Sequence, residues 1–296
     1  MTTLFAVLLA VGLLVGCSGG AAIDIKNAAA APPEMLTLAE EVQPETLVYS
    51  VETELWEDTI LAGDGTPLVH YAFAVPRMTV LQTDGTPITE AVGEAEEIAQ
   101  GTADAFNSQF ASWIDGEGLA ELVTAAEEDL AWQRENGTEW YGPYELELSC
   151  CVYRAGALVS VSGTYYRFTG GNHPTTYLMS WNFDLSGGVF FTADTLAADG
   201  NLFTEGVQAE LIRQAGAVAA ENAQPPEAFF WPEYETLLAD WCSYTVSFDE
   251  AGMTVAFSPY ELACYAAGPQ VFRLTYDQLV PYLSDHGRAV LGLESS

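Results

Sequence analysis

Two stretches near the start of the folded body, Leu47 to Leu61 and Leu68 to Leu81, partly alternate apolar and polar positions and are rich in Val, Tyr, Phe, Trp and Thr, which predicts strands. Each is followed by the same tetrad, Asp64-Gly65-Thr66-Pro67 and Asp84-Gly85-Thr86-Pro87, and Asp-Gly after such a run predicts a hairpin turn. Neither tetrad has the further spaced carboxylates of a calcium cage, so both read as turn chemistry. Between Thr89 and Trp113 the period changes. Ala95, Ile98, Ala99, Thr102, Ala105, Phe106, Phe110 and Trp113 recur every three or four residues, the signature of an amphipathic helix. A second helix is predicted over Leu119 to Arg134, after the break Asp115-Gly116-Glu117-Gly118.

Strand patterns return at Tyr144 to Tyr153, Ala157 to Phe168 and Thr175 to Leu185. The first puts Leu146, Leu148, Cys150 and Val152 on one apolar face; the third puts Tyr177, Met179, Trp181, Phe183 and Leu185 on a side predicted to pack inward. Asn201 to Ala220 reads as a helix with Leu202, Val207, Leu211, Ala215 and Val218 on its apolar stripe. Pro225-Pro226 and Pro232 bracket an aromatic loop, Phe229-Phe230-Trp231. A hairpin of Tyr244 to Phe248 and Met253 to Phe257 follows, and a short helix, Tyr276 to Leu283, closes the fold. Clusters of antiparallel strands alternate with helices, which gives an α+β fold of antiparallel sheets with packed helices in two closely associated subdomains.

Ahead of this body, Leu4 to Val15 is almost unbroken Leu, Val, Ala and Phe and ends at Leu14-Val15-Gly16-Cys17. That run is too short to span about 30 Å of hydrocarbon, and small residues before the first cysteine match a bacterial lipoprotein leader. Residues 1–16 are therefore expected to be a signal peptide and Cys17 the acylated terminus. The lack of charge in residues 1–16 predicts a natural start further upstream. Residues 17–44, rich in Ala with Pro32-Pro33, read as a flexible tether to the membrane lipid. The expected location is the extracytoplasmic face of the cell membrane.

The chain carries 42 acids against 8 lysines and arginines, a net charge of -34, which repels a phosphate backbone and excludes nucleic acid as a partner. The same field attracts a cationic partner, although acidic surfaces also serve solubility alone. With 49% hydrophobic and 12% aromatic residues the body is expected to fold. Besides Cys17 there are Cys150, Cys151, Cys242 and Cys264. Vicinal pairing of Cys150 with Cys151 is disfavoured, because strand neighbours point to opposite faces. A Cys242 to Cys264 disulfide and buried free thiols both stay open. No CxxC or Cys/His spacing points to a metal, no P-loop, dinucleotide turn or GxSxG elbow occurs, and no cofactor is expected.

The run Tyr165-Tyr166-Arg167-Phe168-Thr169-Gly170-Gly171-Asn172-His173-Pro174, followed by Ser180-Trp181-Asn182-Phe183-Asp184-Leu185-Ser186-Gly187-Gly188, resembles the Gly-Gly-x-His-Pro turn and Phe-Asp-x-x-x-Gly strand of the RsiV-like extracytoplasmic domain. The segment Phe257 to Pro269, with Pro259-Tyr260 and Gly268, is similar to a later stretch of that family, and Leu274 to Leu283 looks like its closing helix. The region before, about Leu47 to Phe168, looks like the partner domain that precedes it in RsiV and in PdaC-type deacetylases. This resemblance implies domains at 45–170 and 171–288, with a C-terminal tail at 289–296. It also implies company: RsiV-type proteins bind lysozyme outside the cell, and PdaC-type proteins carry a peptidoglycan deacetylase domain. No segment able to hold a sigma factor precedes the leader and no deacetylase zinc set follows the body, so binding or sensing at the envelope is what remains expected.

His173 is the first candidate site residue, together with Asn172, because the glycines of the turn permit unusual dihedrals and backbone bonds can hold the ring. It reads either as a turn histidine or as a functional group that needs a base or metal partner; His70 and His286 stand alone in sequence. Phe230 and Trp231, and the segment Trp241 to Tyr244, offer rings for stacking on sugar faces or for a protein partner, against the reading that they are core. With 42 acids, no carboxylate pair is singled out by spacing. The resulting expectation is a lipid-anchored, non-enzymatic binding protein whose partner is a cationic protein such as lysozyme or a peptidoglycan fragment. The alternative is a peptidoglycan-active hydrolase or modifying enzyme.

Overall fold

The computed structural model describes residues 47–114 and 118–293. The expected leader, Cys17 and the tether lie outside the described residues, as do Asp115 to Glu117 and the last three residues of the expected tail. Leu47–Leu61 (β1) and Pro67–Gln82 (β2) form the predicted antiparallel hairpin, in register from Leu47 opposite Gln82 to Ile60 opposite Val69. The Asp64 carboxylate accepts the Thr66 N–H at 3.1 Å within the connecting turn. The second tetrad makes the same turn, with Asp84 accepting from Thr86 at 2.9 Å, but a single bridge from Leu81 to Pro87 follows it instead of a strand.

The helical region divides into Glu94–Ser108 (α1), Ala111–Ile114 (α2) and Leu119–Glu135 (α3), so the continuous helix expected from Thr89 to Trp113 is two pieces. The first piece ends beside Asn107, whose side-chain amide is engaged with β2. The Met78 N–H donates to Asn107 Oδ1 at 2.8 Å and Asn107 Nδ2 donates to the Met78 carbonyl at 2.9 Å. These helices carry the chain across to Tyr144–Ala155 (β3), which lies parallel to β2. A parallel pair needs such a crossover. Leu158–Phe168 (β4), Thr175–Asp184 (β5) and the short Val189–Phe190 (β6) complete a six-stranded sheet in chain order, antiparallel apart from that one pair. The sheet buries Phe73, Met78, Leu148, Val161 and Phe183 against Ala103, Phe106, Phe110 and Ala126 of the helical segment. β5 and β6 hydrogen-bond into this sheet although they follow the boundary expected at 170/171.

A second core forms around Gly200–Glu221 (α4), Pro226–Phe229 (α5), Tyr234–Ala239 (α6) and the antiparallel strands Thr245–Asp249 (β7), Gly252–Phe257 (β8) and Gln270–Thr275 (β9). The buried stripe of α4 is Phe203, Val207, Leu211, Ala215 and Ala219. Leu202, expected on that stripe, is 57% exposed. Leu202 lies five residues before Val207, off the four-residue spacing that Phe203 continues, and the Asp199 carboxylate caps the helix by accepting the N–H groups of Asn201 and Leu202. The closing helix is shorter than expected, Tyr276–Leu279 (α7), and a further helix, Asp285–Val290 (α8), occupies residues expected in part as tail. Gly292, just beyond α8, lies so close to the β3–β4 hairpin that a side chain on Gly156 would come within 2.4 Å of its nitrogen. Among the described residues no helix is long and apolar enough to cross a membrane.

The two sheets meet through polar groups. The free edge of β7 stands on the face of β4 and β5 that points away from the first core, and side chains supply the partners its backbone lacks. Val246 N–H donates to Ser180 Oγ at 2.9 Å, Phe248 N–H to Ser160 Oγ at 2.8 Å, and Asn182 Nδ2 to the Val246 carbonyl at 2.7 Å. Ser160 Oγ donates in turn to Asn182 Oδ1 at 2.8 Å. Both faces of the second half of β5 are therefore covered. The side predicted to pack inward does so at Trp181 and Phe183, whereas Tyr177, at the start of the strand, is 47% exposed.

Asn182→Ala leaves the Val246 carbonyl without a donor and the Ser160 hydroxyl without its acceptor in a buried seam and is expected to destabilise the fold by about 2 kcal/mol, read from urea unfolding. Acid dependence is expected at Glu210, whose carboxyl is held down to about 2, chiefly by hydrogen bonds from Arg213. A depressed carboxyl stabilises fully above its unfolded value of 4.5 and loses that contribution as pH falls through 2. The stability gap between the wild-type chain and Glu210→Gln, measured by denaturation across that window, should close towards low pH.

Candidate functional site

The turn between β4 and β5 contains Gly170 and Gly171, with φ of 87° and 98°. Gly170 fits for two reasons: its backbone is left-handed, and a side chain there would come within 2.4 Å of the Tyr141 ring. Tyr141 is itself placed by α3, since its hydroxyl and that of Tyr144 both donate to Asp129. On the other flank of the turn, His173 stacks on Tyr265 with ring centroids 3.9 Å apart and an interplanar angle of 18°. Its Nδ1 lies 3.1 Å from the Pro174 carbonyl and its Nε2 lies 3.1 Å from the Tyr260 hydroxyl. The two separated sequence motifs thus touch, and His173 is where they do so.

Asn172 is exposed at the tip of this turn. Trp231 supports the site from behind, donating its indole N–H to the Tyr260 carbonyl at 2.9 Å. Phe230 is core. It is 3% exposed, bridges by its backbone to Ala263 and stacks on Tyr234, so it presents no surface to a ligand. Trp241 is likewise fully buried, and packs edge-on against Phe203.

The open face of the six-stranded sheet continues this cluster. Tyr166 donates its hydroxyl to Glu145 at 3.1 Å, and Glu147 lies directly opposite Tyr166 in the ladder. His70 lies opposite Glu145, with its ring nitrogens 3.2 Å from Thr59 Oγ1 and 3.8 Å from a Glu57 oxygen. Burial, with the nearby carboxylates Glu145 and Glu147, raises the Tyr166 phenol above its ordinary value; burial and Tyr260 raise that of Tyr265. Glu261, which accepts the Ser258 N–H, is pushed upward by burial. Carboxylates interleaved with aromatic faces suit a ligand that presents cations, through charge-assisted hydrogen bonds and cation–π contacts. Among the described residues no three His, Cys, Asp or Glu side chains gather as they would around a metal. Glu145 and Glu147 were not singled out from the sequence, although they are the polar positions of the Leu146–Leu148 alternation.

Two clefts flank the seam. One, about 210 Å³, is lined by Trp181, Tyr244 and Cys242 among others. The other, about 300 Å³, is a trough whose floor is β3 and β4 and whose wall is β7 to β9. Cys151 opens into the trough, while Cys150 points into the first core and burial pushes its thiol up to about 12. Of the alternatives left open for the cysteines, the structure has all four thiols free.

Residues 201–277 match DUF3298, a family described as a protein of unknown function. The matched interval runs from α4 to the start of α7, so it contains Tyr260 and Tyr265 but not His173. A crystal structure of a DUF3298 family member from Bacteroides fragilis is similar in fold, with a TM-score of 0.55 at 14% identity, and the match covers 82% of this chain and 97% of that one. A DUF3298 family protein from Pseudomonas aeruginosa gives a TM-score of 0.44 at 17% identity, covering 80% and 96% of the two chains. Comparison with curated proteins finds no match. The first likeness supports the α+β architecture described above.

Exposed Cys151 is expected to react with a thiol reagent in the native protein, whereas Cys150 should stay unmodified until the chain unfolds. Peptide-resolved alkylation with and without denaturant checks this.

Proposed function

We propose that this chain is a non-enzymatic binding protein of the bacterial envelope, anchored through an acylated Cys17, that captures a cationic protein ligand such as lysozyme on the face formed by β1 to β4 and the His173 cluster. The observation that carries the reading is the row Glu57, Glu145 and Glu147 beside Tyr166, Tyr265 and His173, on a chain whose net charge is -34. The overall field draws a cationic partner in, and the local carboxylates and rings give it specific contacts. The company kept by RsiV-like domains supports the same class of ligand. The lipid anchor is supported by the run that ends at Leu14-Val15-Gly16-Cys17.

Lysozyme is expected to be retained by the immobilised protein at low salt and released as salt rises. Neutralising the row in Glu57→Gln/Glu145→Gln/Glu147→Gln should weaken that binding by about tenfold, equivalent to about 1.4 kcal/mol. No retention at low salt would discard the reading. For the anchor, labelled palmitate should enter the wild-type chain expressed in a bacterium and not Cys17→Ala.

A further inference from the structure

The hydroxyls around the seam divide into two groups. Ser160, Ser180, Thr245 and Ser258 are all engaged in joining the sheets, each in a hydrogen bond to backbone across the junction. A second group lines the 300 Å³ trough beside them: Ser149 on β3, Ser162 and Thr164 on β4, Ser247 on β7 and Thr254 on β8. These five have no hydrogen-bond partner among the described residues. Their placement is dictated by register. Ser149 lies opposite Thr164, Cys151 opposite Ser162, and Ser247 opposite Thr254, so floor and wall each present small polar side chains inward.

The trough also has an apolar strip and a nearly neutral lining. Leu178, Ala256 and the 53% exposed Val271 supply the strip. The charged groups that line it, Asp249 and Arg273, pair with each other at 2.9 Å. Its volume is at the small end of small-molecule sites. A hydroxyl both donates and accepts, so five of them can meet ligand hydroxyls in either sense, displacing the water that otherwise satisfies them. A sugar ring has this combination of equatorial hydroxyls and an apolar C–H face.

We propose that this trough is a binding site for a neutral saccharide of one or two rings. The site adjoins the acidic face, since Ser149 and Thr164 are the next pair after Glu147 and Tyr166 on the same side of the ladder, but its ligand chemistry is different and goes beyond the capture of a cationic protein. The sugar ring lies on the apolar strip, its hydroxyls bond to Ser149, Ser162, Thr164, Ser247 and Thr254, and Cys151 is covered when the site is filled.

The thiol gives a direct readout. Alkylation of Cys151 in the full chain, followed by peptide mass spectrometry, is expected to slow by about fivefold or more with saturating N-acetylglucosamine disaccharide or cellobiose, as a filled cleft excludes reagent. Cys242, outside the trough, serves as the control and should not change. Ser162→Leu places bulk on the exposed floor and should abolish the protection, with circular dichroism and thermal midpoint verifying the fold. The Glu57→Gln/Glu145→Gln/Glu147→Gln chain should keep it, which separates this site from the acidic face. Unchanged Cys151 alkylation with both disaccharides, or protection that persists in folded Ser162→Leu, would overturn the proposal.

Discussion

The arrangement of the whole molecule depends on a buried polar seam between two apolar cores. Each sheet covers most of its hydrophobic face with its own helices, and the first sheet adds only Leu158 and Tyr153 to the second core. What β7 does need is partners for the backbone on its free edge, because an unpaired buried N–H or carbonyl costs about 1–3 kcal/mol. Ser160, Ser180 and Asn182 provide them at 2.7 to 2.9 Å. Such bonds are directional, so they define one placement of the second sheet on the first, which a greasy interface of the same size would specify less tightly. The trough exists because small side chains, Ser149, Cys151, Ser162 and Gly163 among them, flank this line of contact.

The same device recurs where other strand edges end. β3 pairs with β2 only from Val69 to Ala74, and Asn107 meets both backbone groups of Met78 just beyond. Gln214 on α4 does the same for Arg273 on β9, donating to its carbonyl at 2.7 Å and accepting its N–H at 3.1 Å. Helix-borne amides thus close ladder positions that would otherwise invite another strand. In the case of Gln214 the amide is held by Glu210, which accepts from it at 2.7 Å, tying the edge to the Arg213 pair.

Most strands and long helices were legible from periodicity, since β1 to β5, β7 and β8 and helices α3 and α4 follow the expected segments closely. Local pattern was least informative where tertiary contacts decide. The alternation of β5 placed Tyr177 inward, but burial at that end depends on how far the helical segment extends over the face that Trp181 and Phe183 share. The α4 stripe was right at Val207, Leu211 and Ala215 and off by one at each end, and α8 has only six residues, too few to show a period. At the site, His173 was legible from its glycine turn and Trp231 from its aromatic loop. Phe230 reads the same way in sequence and is core, because its bridge to Ala263 turns it inward. Glu145, Glu147 and the trough hydroxyls come together through strand pairing across distant segments, which no local spacing records.

The near-contact of Gly156 with Gly292 links the β3–β4 hairpin to the last turn of the described chain, across more than a hundred positions. Contacts that distant in sequence carry a large loop-closure entropy and form late. A polypeptide that emerges N-terminus first would hold its larger sheet assembled but unclasped until Gly292 has followed. Removing the segment that carries Gly292 would therefore leave the tip of the β3–β4 hairpin without its clasp.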